Sequence, residues 1–358
     1  MPFAAFMQLA LYHPQHGYYA AARPRTGWAG DFVTSPELDP AFGQLWAAGF
    51  EQIWSSCGAP DRFEVVEVGP GEGSFAEGVL EAASGDFADA LGYRLVERQP
   101  PVQERQHARL DRFPRVRWSE SIVDVPPIEF GMVFANEVLD NLPVHLVEKA
   151  GEKLHEVCVI ERDGTLAFTL LPPSSPDLTR FLERTATDLP EGHRMEVSFA
   201  AESFIARAAG TIVRGAVVLV DYGDEARKLA RLPRGSLVCY SPSGADDDPL
   251  ARPGQKDITT HVNWTAVRAA GRRAGLEMTG PATQRDVLLG LGLEAVDLSL
   301  QERHRDALAQ KMGAVAVASL SRRQALRALV DRGGLGTLGV LVGLKGILPP
   351  DFLATASF

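Results

Sequence analysis

EVVEVGPGEGSF, residues 64 to 75, changes character in mid-course. The β-branched Val65, Val66 and Val68 favour a strand. Gly69, Gly71 and Gly73 then break it, and the run from Phe75 to Ala83 has the pattern of a helix. Glycines at alternate positions let the backbone bend sharply and approach a ligand closely, because no Cβ intervenes. Glu67 adds an acid just before the first of them. A dinucleotide fingerprint, G-x-G-x-x-G, would need glycine at 74. The chain has Ser74 there, which disfavours a nicotinamide-dependent oxidoreductase.

The segments that follow have the order of a nucleotide-binding α/β fold. GYRLVE, residues 92 to 97, reads as a second strand whose last residue, Glu97, lies roughly 20 to 25 residues past the glycines, as expected for a carboxylate that accepts from ribose hydroxyls. Residues 115 to 121 would form a third strand and GMVFA, 131 to 135, a fourth. Asn136, Glu137 and Asp140 follow the fourth strand, at the sheet end where ligands bind in open parallel sheets. Two carboxylates at that spacing suit the two sides of a guanidinium fork, and a charge pair at a helix start is the alternative. The apolar run from Gly215 to Val220 reads as a central parallel strand, with Asp221 and Tyr222 at its carboxyl end.

Around this core the expected organisation is an N-terminal helical extension over 1–60 and one interrupted domain over 61–358, with insertions at about 144–200 and 240–262. A helix from Phe3 ends before Pro14, and Thr34 with Glu37 fits a capping box with Pro36 in the first turn. Residues 144 to 171 alternate like a β-meander broken at Gly151 and Gly164. Asn263 is placed to cap a helix from Trp264. The three aspartates at 246–248 suggest a solvated turn, and SRRQALRALVDR, 321 to 332, a solvated helix face.

Composition narrows the function. Asp plus Glu exceeds Lys plus Arg by 46 to 36, a formal charge of −10, so no nucleic-acid surface is expected. No apolar run reaches the ~20 residues that span a bilayer, so no membrane partner is expected either. No basic-then-apolar leader precedes Met7, and the expected location is cytoplasmic. Cys57, Cys158 and Cys239 are far apart in sequence, which indicates buried thiols and no metal site.

The E-x-G-x-G-x-G form resembles the first motif of class I methyltransferases, which bind S-adenosylmethionine. FMQLALYHPQHGYY, GDFVTSPE, VVEVGPGEGSFA and ANEVLDNLPVHLVE follow in an order similar to that of the MidA-type methyltransferases, and VDYG, PGQKDITTHVNW and LGVLVGLKG extend the likeness over nearly the whole chain. That resemblance implies a class I, Rossmann-like α/β fold with a mostly parallel seven-stranded sheet whose last strand inserts antiparallel. It implies S-adenosylmethionine as cofactor, and methylation of a protein arginine, in mitochondrial members on a respiratory complex I subunit. It places Glu67, Gly69, Gly71, Gly73, Glu97, Asp31 and Thr34 on the cofactor side, Glu137, Asp140 and Asn136 at the reaction, and Asp221, Tyr222, Asp257 and His261 on the substrate side. Relatives commonly carry arginine and histidine where this chain has Ser241, Pro242 and Ser243, which weakens the substrate assignment alone. A cofactor-binding assembly factor with little turnover is the alternative function. The sequence names neither client nor oligomeric state.

Overall fold

The computed structural model describes residues 1–20 and 34–355. In chain order its strands are β1 (Phe63–Val68), β2 (Leu91–Val96), β3 (Val116–Ser119), β4 (Ile128–Asn136), β5 (His145–Ala150), β6 (Lys153–Arg162), β7 (Thr165–Leu171), β8 (Arg194–Val197), β9 (Ile212–Asp221), β10 (Gly223–Asp224), β11 (Val238–Ser241), β12 (Gly244–Asp246), β13 (Asp257–Thr259), β14 (Val262–Asn263), β15 (Glu277–Thr283) and β16 (Gly339–Lys345). The helices are α1 (Phe3–Tyr12), α2 (Ser35–Leu38), α3 (Ala41–Ser56), α4 (Ser74–Ala82), α5 (Gly85–Ala90), α6 (Pro100–Leu110), α7 (Pro176–Arg184), α8 (Phe199–Thr211), α9 (Ala226–Leu229), α10 (Trp264–Arg273), α11 (Gln284–Gly290), α12 (Leu293–Ala309), α13 (Gly313–Leu329) and α14 (Asp351–Thr355). Two compact units result. The described residues of one are 34–136, 208–220 and 276–355, and those of the other are 1–20, 137–207 and 221–275.

The first unit is built on a seven-stranded sheet in the order β15-β16-β9-β4-β1-β2-β3. The pairs β3–β2, β2–β1, β1–β4 and β4–β9 are parallel, while the last strand of the chain, β16, runs antiparallel to β15, as expected. Ala216 to Val220 are all fully buried, the signature of a strand covered on both faces. Aromatic rings seal one face: Phe75 stacks on Phe134 with centroids 4.5 Å apart, and Trp46 and Phe50 of α3 meet the same Phe134 at 5.1 and 5.5 Å. α3 is thus core to the sheet and not an appendage. Arg322 and Arg323 of α13 also turn inward, each forming two bonds to a carboxylate, Asp39 and Asp297 respectively, so the basic stretch is not simply a solvated face.

The second unit packs its own core of Val147, Leu178, Phe181, Met195, Val197, Leu229 and Ala266. Its main sheet, β7-β6-β5-β8, is the expected meander with β8 added beside β5. α1 belongs here: the Met1 amino group donates to the Val159 carbonyl at 2.7 Å, and Phe3 lies 5.9 Å from Phe168. The first 60 residues therefore do not form one extension, because apolar contacts send α1 to the meander and α3 to the large sheet. Asn263 caps α10 as expected, accepting from the Ala266 amide at 3.1 Å. In the aspartate turn, Asp246 accepts from the buried Lys256 ammonium at 2.7 Å. All three cysteines are buried thiols. Among the described residues no helix is long and apolar enough to cross a membrane.

Gly131 and Gly215 face each other across β4 and β9. Gly215 has φ +143°, and a Cβ there would fall 1.7 Å from the Gly131 carbonyl oxygen. Gly215→Ala is expected to destabilise the sheet unit by about 2–4 kcal/mol through strain and overpacking. A thermal melt with unchanged midpoint would contradict that contact.

Candidate active site

In the sheet unit, β1 and β2 are parallel with Val68 opposite Val96, so the glycine loop and Glu97 leave adjacent strands side by side. The Gly69 amide donates to the Val96 carbonyl at 3.2 Å. Gly69, Gly71 and Gly73 have φ of +68°, +51° and +80°, left-handed values that side-chain-bearing residues rarely adopt. Gly73 is the N-cap residue of α4, whose first-turn amides favour anions and electronegative atoms. Glu97 is half-buried, its Oε1 accepts from the Gln99 amide at 2.8 Å, and burial raises its pKa against that bond. Glu67 points into the protein, accepting from the Tyr93 hydroxyl at 2.7 Å, and burial pushes it up to about 8. It therefore supports β1 from inside. Thr34 stands at the N-cap of α2, but its side chain makes no capping bond. Glu37 accepts from Ser74 at 2.5 Å, so the expected capping box is replaced by a tie between α2 and the start of α4. Asp31 lies outside the described residues.

The chain leaves β4 at the half-buried Asn136 and enters the second unit at Glu137. No helix starts here. Glu137 has φ +52°, a conformation that costs a non-glycine residue about 1–3 kcal/mol and persists only where surroundings enforce it. What enforces the turn is Asp221, fully buried, whose Oδ2 accepts from the amides of Val138, Leu139 and Asp140 at 3.1, 2.8 and 3.3 Å. Its Oδ1 accepts from Tyr222 at 2.8 Å. Asp221 was expected on the substrate side; its oxygens are committed to backbone amides, which makes it an anchor.

Asp140 is buried, and its Oδ1 has no hydrogen-bond partner among the described residues. Burial raises its pKa most, and Asp221, Asp257 and Glu137 raise it further. Burial also pushes Asp221 up, to about 7, but the amides of Leu139, Tyr222 and Asp140 hold it down, and Asp140 has fewer such donors. Asp257, also buried, accepts through Oδ1 from the Tyr19 hydroxyl at 3.1 Å, the Asn141 amide nitrogen at 2.9 Å and the Ile258 amide at 3.0 Å. Tyr12 stacks on Tyr19 at 5.4 Å and donates to the Asn141 carbonyl at 3.1 Å. Burial and these acids raise the phenols of Tyr19, Tyr222 and Tyr240. The second unit thus gathers three buried carboxylates, Asp140, Asp221 and Asp257, with the phenols of Tyr19, Tyr222 and Tyr240 close enough to feel them. His261 is exposed instead, with its backbone amide on the Ser236 hydroxyl.

Residues 45–282 match the family model described as "Putative S-adenosyl-L-methionine-dependent methyltransferase". The chain belongs to this family. Protein arginine methyltransferase NDUFAF7, mitochondrial, from Xenopus tropicalis is 30% identical over 86% of this chain and 75% of that protein. The Drosophila melanogaster homolog, likewise mitochondrial, is 30% identical over 79% and 70%. A methyl transferase candidate from Burkholderia thailandensis, solved with S-adenosyl-homocysteine bound, is 29% identical with a TM-score of 0.85, covering 100% of this chain and 91% of that one. The protein is a class I S-adenosylmethionine-dependent methyltransferase, as its motifs and sheet order led us to expect. The expected cytoplasmic location is overturned: these curated relatives are mitochondrial.

Sequence reasoning for this methyltransferase missed Tyr12, Tyr19, Asn141 and Tyr240. Both N-terminal tyrosines stand in FMQLALYHPQHGYY, where a polar-tipped aromatic on an otherwise apolar helix was the available signal. Glu67 yields a prediction. Its folded pKa of about 8 exceeds the ordinary 4.5, so the folded state holds that proton more tightly than the unfolded chain does. The resulting stability is present below 4.5 and is lost as pH rises to about 8, at up to about 1.4 kcal/mol per pH unit. Ligand-free Glu67→Gln should therefore gain stability relative to wild type across that window and hold a constant difference above it. Parallel urea-melt curves at all pH values would contradict this.

Proposed function

We propose that this methyltransferase modifies an arginine side chain of a protein, with Glu137 and Asp140 receiving the guanidinium. The observation that carries the proposal is the buried Oδ1 of Asp140, which lacks a hydrogen-bond partner among the described residues and lies among other buried carboxylates. A buried acceptor without a donor is costly, and a cationic, multi-donor group relieves that cost. A guanidinium offers five donors in a planar fork, and its flat face suits contact with a tyrosine ring. The names of the relatives support the same acceptor.

S-adenosylmethionine supplies a methyl group already activated by its sulfonium. The glycines 69, 71 and 73 would admit its close approach, Glu97 would accept from the ribose hydroxyls, and Thr34 and Asp31 are further candidates on that side. An arginine keeps its proton until late because its pKa exceeds about 12. The two acids therefore orient the guanidinium and share its charge during an in-line displacement that breaks the S–CH3 bond and forms N–CH3; Asp140 releases its own proton to solvent as the cation enters, and the proton lost by the methylated nitrogen passes late to one of the carboxylates and on to solvent. Asn136 is a candidate to orient the acceptor, Asp221 holds the turn, and Asp257 and Tyr222 are candidates on the substrate side. A respiratory-complex subunit is the client class suggested by the MidA-type resemblance, and Ser241, Pro242 and Ser243 depart from it.

Labelled S-adenosylmethionine with host lysate tests the proposal. Wild type should label a protein, while Glu137→Gln and Asp140→Asn should lose about a hundredfold or more in single-turnover rate with S-adenosylhomocysteine affinity nearly unchanged. Because the Asp140 pKa is raised, acceptor binding should strengthen as pH rises beyond the ordinary carboxylate range. Equal rates in wild type and both variants would remove these residues from the reaction. A wild type that binds cofactor but labels no protein would favour the assembly-factor role.

A further inference from the structure

We propose that Gln106 is a positioning residue for the cofactor, fixing the carbonyl of Gly71 and so the shape of the glycine loop. This rests on the reading that the loop holds S-adenosylmethionine. Gln106 lies on α6, in the connection between β2 and β3, and is fully buried. Its Nε2 donates to the Gly71 carbonyl at 2.7 Å and its Oε1 accepts from the Trp118 indole at 3.0 Å. The amide direction is not arbitrary: an indole nitrogen only donates and a carbonyl only accepts, so one orientation satisfies both.

α6 holds the neighbouring positions as well. Arg105 makes two bonds to Glu72, at 2.7 and 2.9 Å, and Gln103 donates to the Glu97 carbonyl at 2.6 Å. Consecutive contacts thus restrain Gly71, Glu72 and Glu97, the backbone that meets the nucleoside in our reading. The His107 ring stacks on Trp118 at 3.7 Å and limits movement of the indole. A loop with three glycines has many conformations available, and the amide of Gln106 selects one before the ligand arrives. Buried glutamine is uncommon because its amide needs donors and acceptors on both ends, and here both ends are used between elements distant in sequence.

The test is calorimetric binding of S-adenosylhomocysteine from pH 6 to 9 for wild type, Gln106→Leu, Gln106→Glu and Glu97→Ala. Gln106→Leu keeps the bulk but leaves the Gly71 carbonyl without its donor, and about a tenfold weaker affinity is expected. Gln106→Glu can donate to that carbonyl only while protonated, so its affinity relative to wild type should be near one at low pH and fall as pH rises. A residue that merely fills space would give a flat ratio, and that result, or unchanged affinity in Gln106→Leu, overturns the inference. If Gln106→Leu does not fold, the pH course of Gln106→Glu decides alone. Glu97→Ala separates the two readings: when it weakens binding and the Gln106 variants do not, only this inference fails; when none of the three weakens binding, the cofactor site itself is wrongly placed.

Discussion

Four backbone amides converge on the carboxylate of Asp221, and the turn that carries Glu137 and Asp140 has its shape because of them. A buried carboxylate is tolerable only when hydrogen-bonded, and this one takes its donors from the backbone of the segment to be positioned. Glu137 is held at a positive φ as a consequence. Burial first, and then the neighbouring Asp221, raise the pKa of Asp140. One interaction thus sets the geometry of the turn and adds to the electrostatics around Asp140.

The sheet unit meets a different constraint. Its parallel strands release their loops at one end, and adjacent exits of β1 and β2 put the glycines beside Glu97 without any dedicated element. A flexible loop is a poor binding surface unless something else fixes it. α6 supplies that restraint through Arg105 and Gln106, while Glu37 and Ser74 tie the start of α4 to α2. Catalysis by methyl transfer depends on positioning more than on acid–base chemistry, so such supports matter as much as the residues that touch the ligand.

Much of the sheet was legible in the sequence, because β-branched runs broken by glycine or acids are local signals. β1, β2, β4, β9 and the antiparallel insertion of β16 all follow from such runs or from family likeness. The division of the first 60 residues was not legible: Phe3 and Trp46 are both apolar residues on helices, and only packing reveals that one meets Phe168 and the other Phe134. Asp221 was recognised as a site residue, yet its role was misjudged, since a carboxylate for a substrate and one for backbone amides look alike in sequence. Tyr19 and Gln106 act across long separations, through Asp257 and Gly71, and no spacing rule reaches them.

Glu137 and Asp140 are proposed to receive a guanidinium. Tandem mass spectrometry on a protein labelled by the wild-type enzyme reads the methylated atom directly. Our account predicts methyl groups on guanidinium nitrogens of arginine. Label on a lysine amine, on a carboxylate, or on small molecules to the exclusion of protein would contradict it.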